Sequence, residues 1–169
     1  MNIRHASIED IPIIIDLAYR TWFVTYKGII SESQINYMFG EIYHPDALYK
    51  QITFLQHHFL ILYEDDIPVA YASYSKIPDA AYIYKLHKIY ILPEKQGKKY
   101  GAELIKKVEK IVCSEGGKYL QLNVNRNNKA KGFYERLGYK VIEIQDIAIG
   151  EFWMNDYLME IDLSQNPGE

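Results

Sequence analysis

Ile11, Ile14, Ile15, Ala18 and Trp22 recur at helical spacing directly behind Ser7-Ile8-Glu9-Asp10, an arrangement in which Ser7 and Asp10 can cap each other's backbone N–H groups. The first predicted element is therefore a helix. A second helix is predicted from about Ser31 to Phe39, ending at Gly40, and a third from about Asp46 to Gln56, after the His44-Pro45 pair. The run "HFLILYEDDIPVAYASYSK" then reads as two strands of an antiparallel hairpin around Glu64-Asp65-Asp66, and "AYIYKLHKIYIL" as another long strand. From Ala102 to Glu115 the period changes. Leu104, Ile105, Val108, Ile111 and Val112 share one face of an amphipathic helix, and Gly116-Gly117 stops it. "KYLQLNVN" alternates as a strand, "NKAKGFYERL" predicts a short helix ended by Gly138, "YKVIEI" a strand, and "DYLMEIDL" a final strand. Residues 1–163 are expected to form a single domain, with 164–169 as a polar, frayed tail.

Composition narrows the class. A hydrophobic share of 49% and a charged share of 24% are those of an ordinary globular chain, and no apolar run approaches the ~20 residues that span a bilayer. No membrane partner is expected. Glu9, Asp10 and Asp16 interrupt what would otherwise be an apolar leader, so the N-terminus reads as mature, cytoplasmic protein. The single cysteine, Cys113, allows no internal disulfide and makes a structural zinc site, and with it any metal, an unexpected feature.

Charge is unevenly distributed. Residues 85–110 hold eight lysines against three glutamates, a balance of +5 inside a chain of net charge -3. Nucleic acid is not expected as a partner, because the whole chain is acidic and carries no extended basic stripe. The lysines gather instead around "PEKQGKKYGAEL", where a strand ends in Pro93 and a helix begins within a few residues. A helix start has unpaired N–H groups and the positive end of the helix dipole, and Gly97 and Gly101 let an anion approach the backbone there. Lys98 and Lys99 add charge. The loop is not a P-loop, since it lacks the G-K-[ST] ending, nor does it match G-x-G-x-x-G.

With its surroundings the loop resembles the GNAT superfamily of acyl-CoA-dependent N-acetyltransferases. The likeness is carried by Gln96-Gly97-Lys98-Lys99-Tyr100-Gly101, which matches [QR]-x-x-G-x-[GA] apart from Lys99 at the middle glycine, and by Phe133-Tyr134-Glu135-Arg136-Leu137-Gly138-Tyr139. The resemblance implies a mixed α/β (α+β) fold, a central, mostly antiparallel, twisted sheet with helices on both faces. It implies acetyl-CoA as cosubstrate, bound through Gln96 to Ala102, with its pyrophosphate on the N–H groups of Gly97, Lys98, Lys99, Tyr100, Gly101 and Ala102, and its pantetheine arm paired along Ile89, Tyr90 and Ile91. At Lys99 the backbone is expected to take a conformation open to a residue with Cβ. Asn128, or its neighbour Asn127, would contact pantetheine; capping of the following helix is the competing role for either.

The same resemblance makes Tyr134 the acid that protonates the departing thiolate, with core packing as the alternative. The family often carries a carboxylate as base on the strand along which the pantetheine arm would pair, and here Lys85, His87 and Lys88 stand in its place. His87 is the candidate base, its ordinary pKa of ~6.5 suiting the task. Trp22 and Tyr26 are candidates for the acceptor side. The expected partner is a small-molecule amine, with a homodimer left open. "YRTWFVTYKG" and "LHKIYILPEKQGKKYGAELI" look closest to bacterial spermidine/spermine-type members, and the six carboxylates of residues 31–66 against Lys50 would suit a polycation. A protein N-terminal or other small-amine acetyltransferase, and a non-catalytic acyl-CoA-binding regulatory module, are the alternatives.

Overall fold

The computed structural model describes residues 1–165; the last four residues of the expected polar tail lie outside that range. In chain order the elements are β1 (Asn2–His5), a 3-10 turn (Ile8–Asp10), α1 (Ile11–Tyr26), α2 (Glu32–Tyr43), α3 (Pro45–Thr53), β2 (His58–Glu64), β3 (Ile67–Lys76) and β4 (Ile83–Ile91). A second 3-10 turn (Pro93–Lys95) leads to α4 (Tyr100–Ser114), β5 (Tyr119–Asn125), α5 (Ala130–Arg136), β6 (Lys140–Ile149) and β7 (Phe152–Asp162). The strand order is β1-β2-β3-β4-β5-β7-β6. The β1–β2, β2–β3, β5–β7 and β6–β7 pairs are antiparallel, and β4 pairs with β5 in parallel.

The described chain divides into two compact units, one of residues 1–75 and 88–106, the other of residues 76–87 and 107 onward. In the first, the Ser7 signature forms as a capping box: Ser7 N–H donates to Asp10 Oδ2 at 2.8 Å, and Glu9 N–H donates to Ser7 Oγ at 3.2 Å. Arg4 grips the same carboxylate with two hydrogen bonds of 2.9 and 2.7 Å, which hold Asp10 down to a pKa of about 2. That contact ties β1, a strand the hydrophobic pattern does not announce, to the start of the helical segment. Along the hairpin, Phe59 to Leu62 and Val69 to Ala72 are buried, and Asp65 and Asp66 turn the chain at φ 49° and 63°, as a two-residue type I′ turn requires.

The second helix departs from expectation. It runs through Gly40 to Tyr43, because Gly40 takes no left-handed conformation and the break waits for Pro45, whose ring drives His44 to an extended ψ of 141°. The third helix stops at Thr53, short of the predicted Gln56, which instead turns the chain at φ 54°.

Burial in this unit includes a cation. Lys88 is half-buried and donates to Gln51 Oε1 at 2.7 Å, with its ammonium 5.5 Å from the Phe59 ring centre and 6.0 Å from that of Tyr43. Gln51 is itself fixed by donating from Nε2 to the Ile42 carbonyl at 2.8 Å. A neutral amide and aromatic faces replace water poorly, so burial lowers the pKa of Lys88 to about 7. Burial, followed by the charges of Lys88 and His58, takes nearby His57 down to about 4.

In the second unit, β6 and β7 form one long hairpin, extending past the predicted "YKVIEI" and "DYLMEIDL" to a turn at Gly150, where φ is 59°. The connection from α4 to β5 is close-packed at Gly117. A Cβ there would stand 2.4 Å from Val112 Cγ1 and 2.8 Å from Tyr84 Cδ2.

Two stability predictions follow from these environments. Gly117→Ala should lose about 1–3 kcal/mol by overpacking, whereas Gly40→Ala, with open space around its Cβ and a helical backbone, should gain about 0.5–1 kcal/mol in urea unfolding. Equal effects at the two positions would contradict the assigned packing. For Lys88, the unfolded side chain keeps its proton to near pH 10.5 while the folded one releases it near pH 7, so this residue makes stability rise with pH across that window. Lys88→Met should melt at least about 2 °C higher at pH 7, with a margin that shrinks towards pH 10.5; a constant margin would contradict the buried-lysine account.

Candidate functional site

The strand-to-helix passage is built in short steps. Leu92, almost fully buried, donates its N–H to the Val69 carbonyl at 3.0 Å, and Pro93 then opens the 3-10 turn. Gln96 extends the chain, and its side-chain amide reaches back to the Ile91 carbonyl at 3.4 Å. Gly97 turns at φ 82° with open space where a Cβ would stand, and Lys99 follows at φ 64°. Lys99 thus keeps a glycine-like, left-handed backbone despite its side chain, a conformation that costs ~1–2 kcal/mol for a residue with Cβ. The Lys99 carbonyl accepts the first intrahelical bond of α4, from Glu103 N–H at 3.1 Å. The N–H groups of Tyr100, Gly101 and Ala102 therefore precede the helix's own acceptors.

Glu64, the last residue of β2, anchors this passage. Its carboxylate accepts from Lys95 Nζ, from Lys98 Nζ at 2.8 Å and from the Tyr100 hydroxyl. The Lys95 contact foremost, then Lys98 and Tyr100, hold Glu64 at a pKa of about 2. Two of the three loop lysines are committed to one carboxylate, while Lys99 makes no ion pair among the described residues. Sequence reasoning missed this anchor because Glu64 counted only as one of six carboxylates on an acidic side. The others also hold local positions: Glu32 and Asp46 in the first turns of α2 and α3, Glu41 exposed on α2, Asp65 and Asp66 in the hairpin turn.

Ile89, Tyr90 and Ile91 form the half-buried end of β4. The Tyr90 hydroxyl lies 3.0 Å from that of Tyr26, and its ring stacks on Tyr71 with centres 5.6 Å apart. Tyr71 in turn shares a 2.7 Å hydroxyl contact with Tyr43, and burial raises both phenols well above their ordinary pKa. Trp22 is 3% exposed and donates its indole N–H to the Ile35 carbonyl at 3.2 Å. Its ring packs on Tyr26 at 4.4 Å and Tyr43 at 5.6 Å, so this acceptor-side candidate is embedded in the aromatic core of the unit. No spacing within 16 tyrosines foretells that Tyr26, Tyr43, Tyr71 and Tyr90 meet.

In the second unit, Tyr134 lies on α5, 8% exposed, with its ring centre 6.0 Å from that of Tyr139. Tyr139 donates its hydroxyl to Glu109 at 2.9 Å, and Gly138 closes the helix at φ 98°. Asn128 Oδ1 accepts the Ala130 N–H at 2.9 Å in a local turn ahead of α5, whose N-cap position is Lys129 and has no side-chain cap bond; the Asn127 side chain is exposed. His87 sits half-buried on β4 near Lys85, whose pKa is lowered by burial against the opposing pull of Asp156. Among the described residues no cluster of His, Cys, Asp and Glu could hold a metal ion, and no helix is long and apolar enough to cross a membrane.

Comparison with known proteins gives the family. Residues 26–153 match the model of the acetyltransferase (GNAT) domain. The chain is 32% identical to the spermidine N(1)-acetyltransferase of Thermoplasma acidophilum over 83% of its own length and 89% of that protein. The crystal structure of PaiA N-acetyltransferase from Thermoplasma acidophilum, in complex with coenzyme A, superposes with a TM-score of 0.81 at 31% identity, over 95% of this chain and 98% of that one. A GCN5-related N-acetyltransferase from Rhodopseudomonas palustris shares the fold, with a TM-score of 0.80 at 20% identity over 95% and 94% of the two chains. The chain belongs to the GNAT family of acetyltransferases, enzymes that use acetyl-CoA, and its mixed α+β, mostly antiparallel sheet is the fold of that family.

Proposed function

We propose that this chain transfers the acetyl group of acetyl-CoA to a primary amine, with polyamines as the acceptor class. The single observation that carries the CoA assignment is the glycine loop that delivers free first-turn N–H groups at Tyr100, Gly101 and Ala102. Gln96, Gly97, Lys98 and Lys99 complete the run that we assign to the pyrophosphate, and the backbone of Ile89, Tyr90 and Ile91 would pair with the pantetheine amides in the manner of an added strand.

The chemistry then needs three services. The acceptor must lose a proton, because an alkyl amine is charged at neutral pH; His87 is our candidate to take it, directly or through water. Its nitrogen attacks the thioester carbonyl carbon, and a backbone N–H near Ile91 would stabilise the oxyanion. The C–S bond breaks as the tetrahedral intermediate collapses, the attacking nitrogen gives its second proton to water, and we assign Tyr134 to protonate the departing thiolate. Asn128 stays in the assignment as a pantetheine contact through its amide NH₂, since its oxygen accepts the Ala130 N–H.

Support for a polyamine acceptor comes from the Thermoplasma relative named for spermidine. The carboxylates of residues 31–66 lend it little, because Glu64 is taken up by the loop lysines. Trp22 and Tyr26 would act on the acceptor side by shaping the aromatic wall around Tyr90.

A thiol-release assay with acetyl-CoA across spermidine, aminoglycosides, amino acids and peptide N-termini tests the reading. Spermidine should give the strongest signal. A peptide or a neutral amine alone would remove the polyamine assignment and keep the acetyltransferase, and CoA binding without turnover on any amine would favour a regulatory module. In the same assay Tyr134→Phe should slow turnover by about 10²- to 10⁴-fold with CoA affinity retained; wild-type turnover would return Tyr134 to core packing.

A further inference from the structure

We propose that Glu64 is a positioning residue that holds the loop in its anion-receptive shape, so that a negative side chain beside the phosphate-binding run strengthens binding of acetyl-CoA. The inference rests on the CoA assignment above and extends it to a residue outside the family motif. The three donors on Glu64 are spaced across the passage: Lys95 ends the 3-10 turn, Lys98 sits in the loop, and Tyr100 is the first residue of α4. Together they bracket Gln96, Gly97 and Lys99. The Glu64 side chain is only 19% exposed, and it projects from a strand end fixed by pairing with Ile67 across the hairpin. The hairpin thereby holds the loop at three points.

The loop needs such a hold for two physical reasons. Lys99 occupies a left-handed conformation that its side chain disfavours, so the segment would relax if released. Lys95, Lys98 and Lys99 lie within five residues and repel one another unless a counter-charge gathers two of them. Glu64 supplies that counter-charge through charge-assisted hydrogen bonds, and the cluster of Lys95, Lys98 and Glu64 still keeps a net positive charge for an incoming phosphate.

Simple charge counting makes the opposite prediction. Removing a carboxylate near an anion site should tighten CoA binding, whereas loss of a positioning contact should weaken it. The sign of the change decides.

CoA affinity is measured by calorimetry, and KM and kcat with acetyl-CoA and the best acceptor amine, for wild type, Glu64→Ala, Glu64→Gln and Tyr100→Phe. In Glu64→Ala the Kd for CoA and the KM for acetyl-CoA should rise about five- to tenfold, with kcat and the amine KM unchanged. Glu64→Gln, which can still accept hydrogen bonds, should fall between, and Tyr100→Phe should shift CoA affinity in the same direction by less. Unchanged or tighter CoA binding in Glu64→Ala overturns the positioning role. If that variant does not fold, unchanged CoA affinity in Tyr100→Phe overturns it instead. Wild-type protein that binds no CoA would overturn the CoA assignment itself, and the positioning role with it.

Discussion

A helix cannot satisfy its own first N–H groups, and in this chain the deficit falls at Tyr100, Gly101 and Ala102, behind a loop that contains two residues of positive φ. The surrounding structure is arranged around the backbone of that short run. Val69 fixes the strand end through Leu92, Pro93 stops the strand, and Glu64 secures both edges of the loop. None of these contacts uses the first-turn N–H groups. The loop keeps a geometry that a free chain would abandon, at least at Lys99, and this is why its support extends beyond the motif residues.

The lysine-rich stretch divides into separate tasks once folded. Lys95 and Lys98 answer Glu64, Lys88 is drawn into aromatic surroundings with a neutral amide as partner, and Lys99 is left without an ion pair among the described residues. A local balance of +5 therefore overstates the charge available at the loop. Burial and pairing both lower a pKa here, with opposite effects on charge: burial favours the neutral form of Lys88, whereas pairing favours the charged form of Glu64.

Much of the architecture was legible where a local rule has little competition. Ser7 and Asp10 form the capping box that their spacing predicts, Asp65 and Asp66 make the hairpin turn, and the amphipathic stripe from Leu104 to Val112 ends at Gly116 in a left-handed conformation. Local rules failed where tertiary context decided. Gly40 did not stop α2 because helix exit was settled by Pro45, and β1 escaped notice because four residues with little burial carry no period. The β6–β7 hairpin outran its predicted strands because exposed edge residues such as Ile144 and Trp153 blur the alternation. At the site, the glycine loop and the Tyr134 helix were readable as motifs. The Glu64 anchor and the tyrosine cluster were not, since the first joins Glu64 to Lys98, 34 positions on, and the second joins Tyr26 to Tyr90 and Tyr43 to Tyr71, 64 and 28 positions apart.

Backbone amide chemical shifts, followed residue by residue as CoA is titrated into the protein, test the central claim most directly. The largest changes should fall on the amides of Gly97 to Ala102, with Gly101 and Ala102 moving downfield as their N–H groups acquire phosphate acceptors. Saturable CoA binding that leaves those six amides unshifted while others move would contradict the account.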